Sequence, residues 1–211
     1  MGCRTRFLSS IAAAAFIAVS LSASVEEPPL PTLALLVYNY AGVQVDTMQQ
    51  ASKKVMRTYR EAGVDIVWIE PLADARHTMI NPTSNSLHMF TVQTMIRPHK
   101  PSERASTPEA VMGTATAADG NGGTLSLYYD QVLRAAHKYH QPIEDLLALA
   151  LAHEMGHLLL PPPAHSNNGI MRAEWAGDDI RHAIVGSLSF TSTEAALIRS
   201  KVDGCCLHAA K

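Results

Sequence analysis

His153-Glu154-Met155-Gly156-His157, followed by Pro161-Pro162-Pro163, His165-Ser166 and Gly169-Ile170-Met171, is the stretch from which the fold and the chemistry of this chain are read. An α-helix advances about 3.6 residues per turn, so His153 and His157 leave one face a turn apart, spaced as two ligands of one ion. Glu154 stands beside them, where its carboxylate can act as a base without joining the ligand set. The five-residue pattern alone recurs by chance in many wet helices. Its surroundings set it apart, because Ile143 to Ala152 is apolar nearly all round, the pattern of a buried helix. Two imidazoles and a carboxylate on such a helix are costly to bury unless compensated, and a cation compensates them directly. The residues therefore point to a zinc-binding helix.

Its ends are legible too. Gln141-Pro142-Ile143-Glu144 places a proline at the first turn, where a missing N–H costs nothing, and an acid near the positive end of the helix dipole. The three prolines forbid continuation and push Leu160 toward extended geometry, so the helix should end near Leu159 or Leu160. His165 follows His157 by eight positions, enough chain to fold back beneath a metal as a third ligand. Prolines in that loop limit the entropy lost in fixing it.

The run from His153 to Met171 resembles the metzincin clan of zinc endopeptidases, whose pattern is HExxHxxGxxH followed by a methionine turn under the metal. It also resembles a group of small secreted bacterial proteins of that clan. The resemblance implies His153, His157 and His165 as Zn2+ ligands, Glu154 as general base and Met171 as the turn methionine. It further implies an α+β zincin, with a mixed twisted sheet over the active-site helix and a small helical C-terminal half. Two departures stand out: the third histidine falls two positions late, where Pro163 holds the family's position, and Leu160 replaces the glycine. Another zincin group draws its third ligand from a downstream glutamate, which makes Glu174 the rival to His165, with Asp178 behind it. Some metzincins add a tyrosine two residues past the methionine; here that residue is Ala173, so no such ligand is expected.

Around this centre, residues 1–24 read as a signal peptide, with Arg4 and Arg6, an apolar stretch from Phe7 to Leu21, and small residues at Ser22-Ala23-Ser24. A secreted or periplasmic protein without stable membrane insertion is expected. Residues 25–32 form a proline-rich lead-in, 33–204 one peptidase domain and 205–211 a tail. The lead-in leaves no room for a long pro-segment before the first strand. Without Arg4 and Arg6 the chain carries 15 basic against 19 acidic residues, and no nucleic-acid footprint is visible. Cys205 and Cys206 are adjacent, a spacing that seldom makes an ordinary disulfide, and without a second pair they are poor zinc candidates.

The remaining pattern predicts strands over Leu33 to Tyr40, Val64 to Ile69 and Leu87 to Ile96, with a helix from Asp46 to Glu61 making a parallel βαβ unit. Ala110 to Ala117 and Thr124 to Asp130 read as strands around a glycine-rich connection. The resemblance makes Val111 to Ala115 the candidate edge that receives substrate backbone, with Gly113 and Ala115 leaving space for a peptide, although small residues in a strand serve packing as often. Helices are expected over Trp175 to Val185 and Thr191 to Val202, the second opened by a capping-box spacing at Thr191 and Glu194. Trp175 reads as a core or cleft wall. His137 and His140 share i,i+3 spacing, but an exposed helix face explains them. His77, His88, His99, His182 and His208 have no ligand spacing.

Zinc held by three neutral imidazoles would acidify a water and polarise a carbonyl, with Glu154 moving the proton. The expected substrate is a peptide or protein. A zinc hydrolase of cell-wall amides would use the same residues, and a non-catalytic scaffold would have no use for Glu154.

Overall fold

A computed structural model describes residues 29–71, 89–100, 111–118, 121–184 and 188–207. The signal peptide, the turn at 81–85, His77, His88 and His208 lie outside the described residues, as do most of the 97–108 loop and the side chains of Cys205 and Cys206. Five strands make one sheet: β1 (Thr32–Asn39), β2 (Asp65–Ile69), β3 (Phe90–Arg97), β4 (Gly113–Ala117) and β5 (Gly122–Tyr128). Their spatial order is β2-β1-β3-β5-β4. The first four of that row run parallel, and β4 returns antiparallel to β5 at the end. This is the mixed sheet of the expected α+β class.

β1 reads Leu-Ala-Leu-Leu-Val because it is the buried strand between β2 and β3, covered on both faces. β3 alternates buried and half-buried residues along its length. Helix α1 (Val45–Glu61) connects β1 to β2 and buries Met48, Ala51, Val55 and Tyr59, spaced at three and four. Helix α2 (Tyr129–Tyr139) follows β5 without a loop, and α3 (Ile143–Leu159) follows that. The C-terminal part holds α4 (Gly177–Ile184) and α5 (Ser192–Leu207).

Three sequence expectations are corrected. The second hairpin strand stops at Tyr128 instead of Asp130: Asp130 lies in the first turn of α2, where a carboxylate suits the helix dipole. The strand expected from Ala110 begins at Gly113, with Val111 and Met112 outside it. The helix expected from Trp175 begins at Gly177, because Asp179 accepts from the Ala176 N–H and arrests the chain there. Pro142 is the residue just before α3, and Leu160 is extended just after it, as a pre-proline residue must be. At α5 the reciprocal box closes: Thr191 N–H donates to Glu194 at 2.7 Å, and Glu194 N–H to Thr191 Oγ1 at 3.3 Å.

Helix α3 is the central element. Fourteen of its seventeen residues are buried, which is why it lacks a polar stripe. It packs against α1, α2 and β4. Tyr59 of α1 donates to the Ala152 carbonyl at 3.0 Å, immediately before His153, and meets Phe190 edge-on. Lys54 pairs with the buried Asp145 near the start of α3. These contacts hold the helix at both ends of its apolar run.

Candidate metal centre

His153 and His157 lie on the last turns of α3, and His165 comes back to them from the proline loop. One ring nitrogen from each falls within 4.8 Å of the others. The return is built by backbone bonding: Ser166 N–H donates to the Met171 carbonyl at 2.8 Å, and Ser166 Oγ to the Asn168 carbonyl at 2.7 Å. Gly169 has φ 73° and presses against the Ser189 carbonyl, so a side chain there would be both strained and obstructed. The resulting turn carries Ile170 and Met171 beneath α3.

His153 Nδ1 lies 2.8 Å from the Ile170 carbonyl oxygen. A carbonyl only accepts, so Nδ1 carries the proton and Nε2 keeps its lone pair. That Nε2 is 3.0 Å from His157 Nε2. Tetrahedral zinc with Zn–N near 2.0–2.1 Å separates its nitrogens by about 3.3 Å, so the His153–His157 pair is already spaced for such an ion, with a His165 nitrogen within 4.8 Å of both. Glu174 is exposed and outside the nitrogen cluster, while His137 and His140 form no such group with it among the described residues. His140 instead ends α2 in a left-handed conformation.

Met171 is fully buried and its sulfur lies against Gly156, where an added Cβ would collide with it. A glycine inside a helix costs about 1 kcal/mol relative to alanine, and here it makes room for the turn. Met171→Leu is a volume-conserving change and should cost under about 1.5 kcal/mol while leaving zinc affinity near wild type. Gly156→Ala should lose more than it gains in helix propensity, because overpacking costs about 1–3 kcal/mol. Urea unfolding and zinc titration of both variants check this. A large affinity loss in Met171→Leu would give the sulfur more than a packing role.

At Gly113 the packing alternative is the one realised. A Cβ there would lie 2.7 Å from Glu154 Cγ and 2.9 Å from Leu127 Cδ2. The space that its missing side chain leaves is filled by the Glu154 side chain, so β4 packs directly on the acid. This could not be read from the strand pattern, since it depends on how α3 crosses the sheet.

Glu154 is 8% exposed, and burial pushes its carboxyl from an ordinary 4.5 up to about 7. Burial also lowers His153 from 6.5 to about 4, opposed by its bond to Ile170 and assisted by His157 and His165. His157 is lowered by burial and by His165. Both lowered rings are neutral near pH 7, as ligands must be.

These shifts have opposite consequences for the metal-free protein. Below pH 4.5 the Glu154 carboxyl is neutral in folded and unfolded chains alike; as pH rises through 7 the folded chain must bury an ion, so stability falls across that window. His153 does the reverse, costing stability as pH falls from 6.5 toward 4. A gap of this size corresponds to about 3 kcal/mol for each group. Metal-free Glu154→Gln should therefore exceed metal-free wild type in stability at pH 8 by up to about 3 kcal/mol, with the advantage vanishing near pH 4.5. Urea midpoints under chelator at the two pH values decide it, and a pH-independent difference would refute the burial account.

The three histidines and Glu154 open onto a cleft of about 1190 Å³. Val111 to Ala115 form one wall, Arg134, Lys138 and Tyr139 of α2 another, and Trp175 lies beside the metal ligands' side. The sequence reading placed neither Arg134 nor Lys138 at the cleft; the stripe Gln131, Arg134, Ala135, Lys138, Tyr139 at helical spacing was the available signal.

No family model and no curated protein sequence matches the chain. Among solved structures it is similar to metalloproteinase-II from Bacteroides fragilis, at 11% identity and a TM-score of 0.48. That alignment covers 84% of this chain and 55% of the other, so the chain spans little more than half of that protein. Among the described residues no helix is long and apolar enough to cross a membrane. The described residues form an α+β fold with a three-histidine group able to hold a metal ion at the floor of a cleft.

Proposed function

We propose that the chain is a secreted or periplasmic zinc-dependent peptidase of the metzincin type, with Glu154 as general base. The observation that carries this reading is a carboxyl nearly buried beside three converging imidazoles, facing an open cleft instead of a counter-ion. A structural zinc site would have four protein ligands and no need of such an acid.

His153, His157 and His165 would hold Zn2+, leaving one coordination position open. Bound there, zinc supplies an acidified water and a Lewis acid for the scissile carbonyl. Glu154 would take a proton from the attacking water and return it to the leaving amine, from a nearly buried position that faces the cleft. The surrounding wall of β4 and Leu127 keeps its side chain in place. Among the described residues β4 ends the strand order, an edge at which an extended peptide could pair. Export is proposed from the composition of residues 1–24.

Metal analysis of the chain without residues 1–24, combined with a peptide-library digest and a parallel digest of peptidoglycan fragments, tests the reading. One zinc per chain is expected, with peptide cleavage that chelator abolishes and zinc restores. Cleavage confined to the cell-wall fragments would move the substrate class. A protein that takes up no zinc would end the proposal.

A further inference from the structure

The carbonyl that orients His153 has a second donor. Ile170 O accepts from His153 Nδ1 at 2.8 Å and from Trp175 Nε1 at 3.2 Å. A carbonyl oxygen has two lone pairs, so the two bonds coexist. The indole also meets the His153 ring edge-on, with centroids 4.9 Å apart and planes at 82°. One side chain therefore touches both the imidazole and the acceptor that sets the tautomer of that imidazole.

Trp175 is itself held. Asp179 accepts from Arg172 Nη1 at 2.7 Å and from the Ala176 N–H at 2.8 Å, clamping the segment on both sides of the tryptophan. The indole is half-buried and lines the cleft, with its N–H directed inward at the turn. A bulky aromatic serving only as cleft wall would not need that donor placed on the one carbonyl His153 uses.

Building on the zinc reading, we propose that Trp175 is a positioning residue of the metal centre, fixing the Ile170 carbonyl and the His153 ring plane so that Nε2 is presented to the ion. Partners outside the ligand set typically carry about 10- to 100-fold in metal affinity. Trp175 acts through one such partner and through ring contact, so both parts can be separated by substitution.

Trp175→Phe keeps a ring beside His153 and removes the N–H; Trp175→Leu removes both. Zinc affinity, measured by chelator competition, should fall about tenfold in the Phe variant and further in the Leu variant. The visible absorption of the Co2+-loaded protein, which reads ligand geometry directly, should shift in both. The metal-free Phe variant should unfold at nearly the wild-type urea midpoint, separating positioning from general loss of packing. Wild-type zinc affinity and an unchanged Co2+ spectrum in the Phe and Leu variants would overturn the proposal. So would an affinity loss that simply tracks lost metal-free stability. Failure of the wild-type protein to bind either ion would instead remove the zinc reading on which this inference rests.

Discussion

Glu154→Gln should lower peptide turnover by about a hundred- to ten-thousandfold while the protein still binds one zinc per chain. The amide matches the carboxyl in size, so it fits the space left by Gly113 and bounded by Leu127. What it lacks is the ability to take a proton from water and release it again. Because Glu154 is outside the cluster of ligating nitrogens, its replacement leaves the donor set intact. The loss should fall in kcat, since the missing interaction belongs to the transition state. Steady-state kinetics with metal analysis on the same preparation measure both quantities. Turnover near wild type would remove Glu154 as the base, whereas loss of zinc would mean that the carboxylate helps to hold the ion.

His165→Ala should weaken zinc binding by more than the roughly 10- to 100-fold that outer partners typically carry, and Glu174→Ala should leave it unchanged. His165 brings a ring nitrogen to within 4.8 Å of its counterparts on His153 and His157. Its ring centroid stands 4.8 Å from that of His157 and 5.4 Å from that of His153. Two imidazoles cannot supply the three protein ligands of a catalytic zinc, and the exposed Glu174 is not in the group. Since His165 is exposed, its truncation should not unfold the metal-free chain. Equilibrium zinc titration of both variants at one pH gives the comparison. Normal affinity in His165→Ala, or severe loss in Glu174→Ala, would transfer the third position to the carboxylate and end the metzincin reading.

Much of this centre is legible locally. The four-residue spacing of His153 and His157 follows from the helical turn, and the end of α3 follows from the prolines beyond it. The capping box at Thr191 and Glu194 is equally local, because both partners lie within one turn. The start of helix α2 was missed, although a helix face at His137 and His140 was read: Thr124 to Asp130 reads as a single β-rich run, and only the change in backbone direction after Tyr128 divides it. Its cleft-facing stripe was missed with it.

By itself, then, the amino-acid sequence determined the opening parallel βαβ unit, the buried helix and the pairing of two imidazoles with a carboxylate, because each depends on periodicity, sterics and burial cost over a few residues, whereas the α+β zincin class came from the family resemblance. Tertiary structure decided which distant groups meet: His165 rather than Glu174 beside the pair, Glu154 over Gly113, Met171 against Gly156, and Trp175 sharing a carbonyl with His153. Those meetings are set by how α3 crosses the sheet and how the following turn packs beneath it, and side chains brought together by packing leave no periodic trace in the chain.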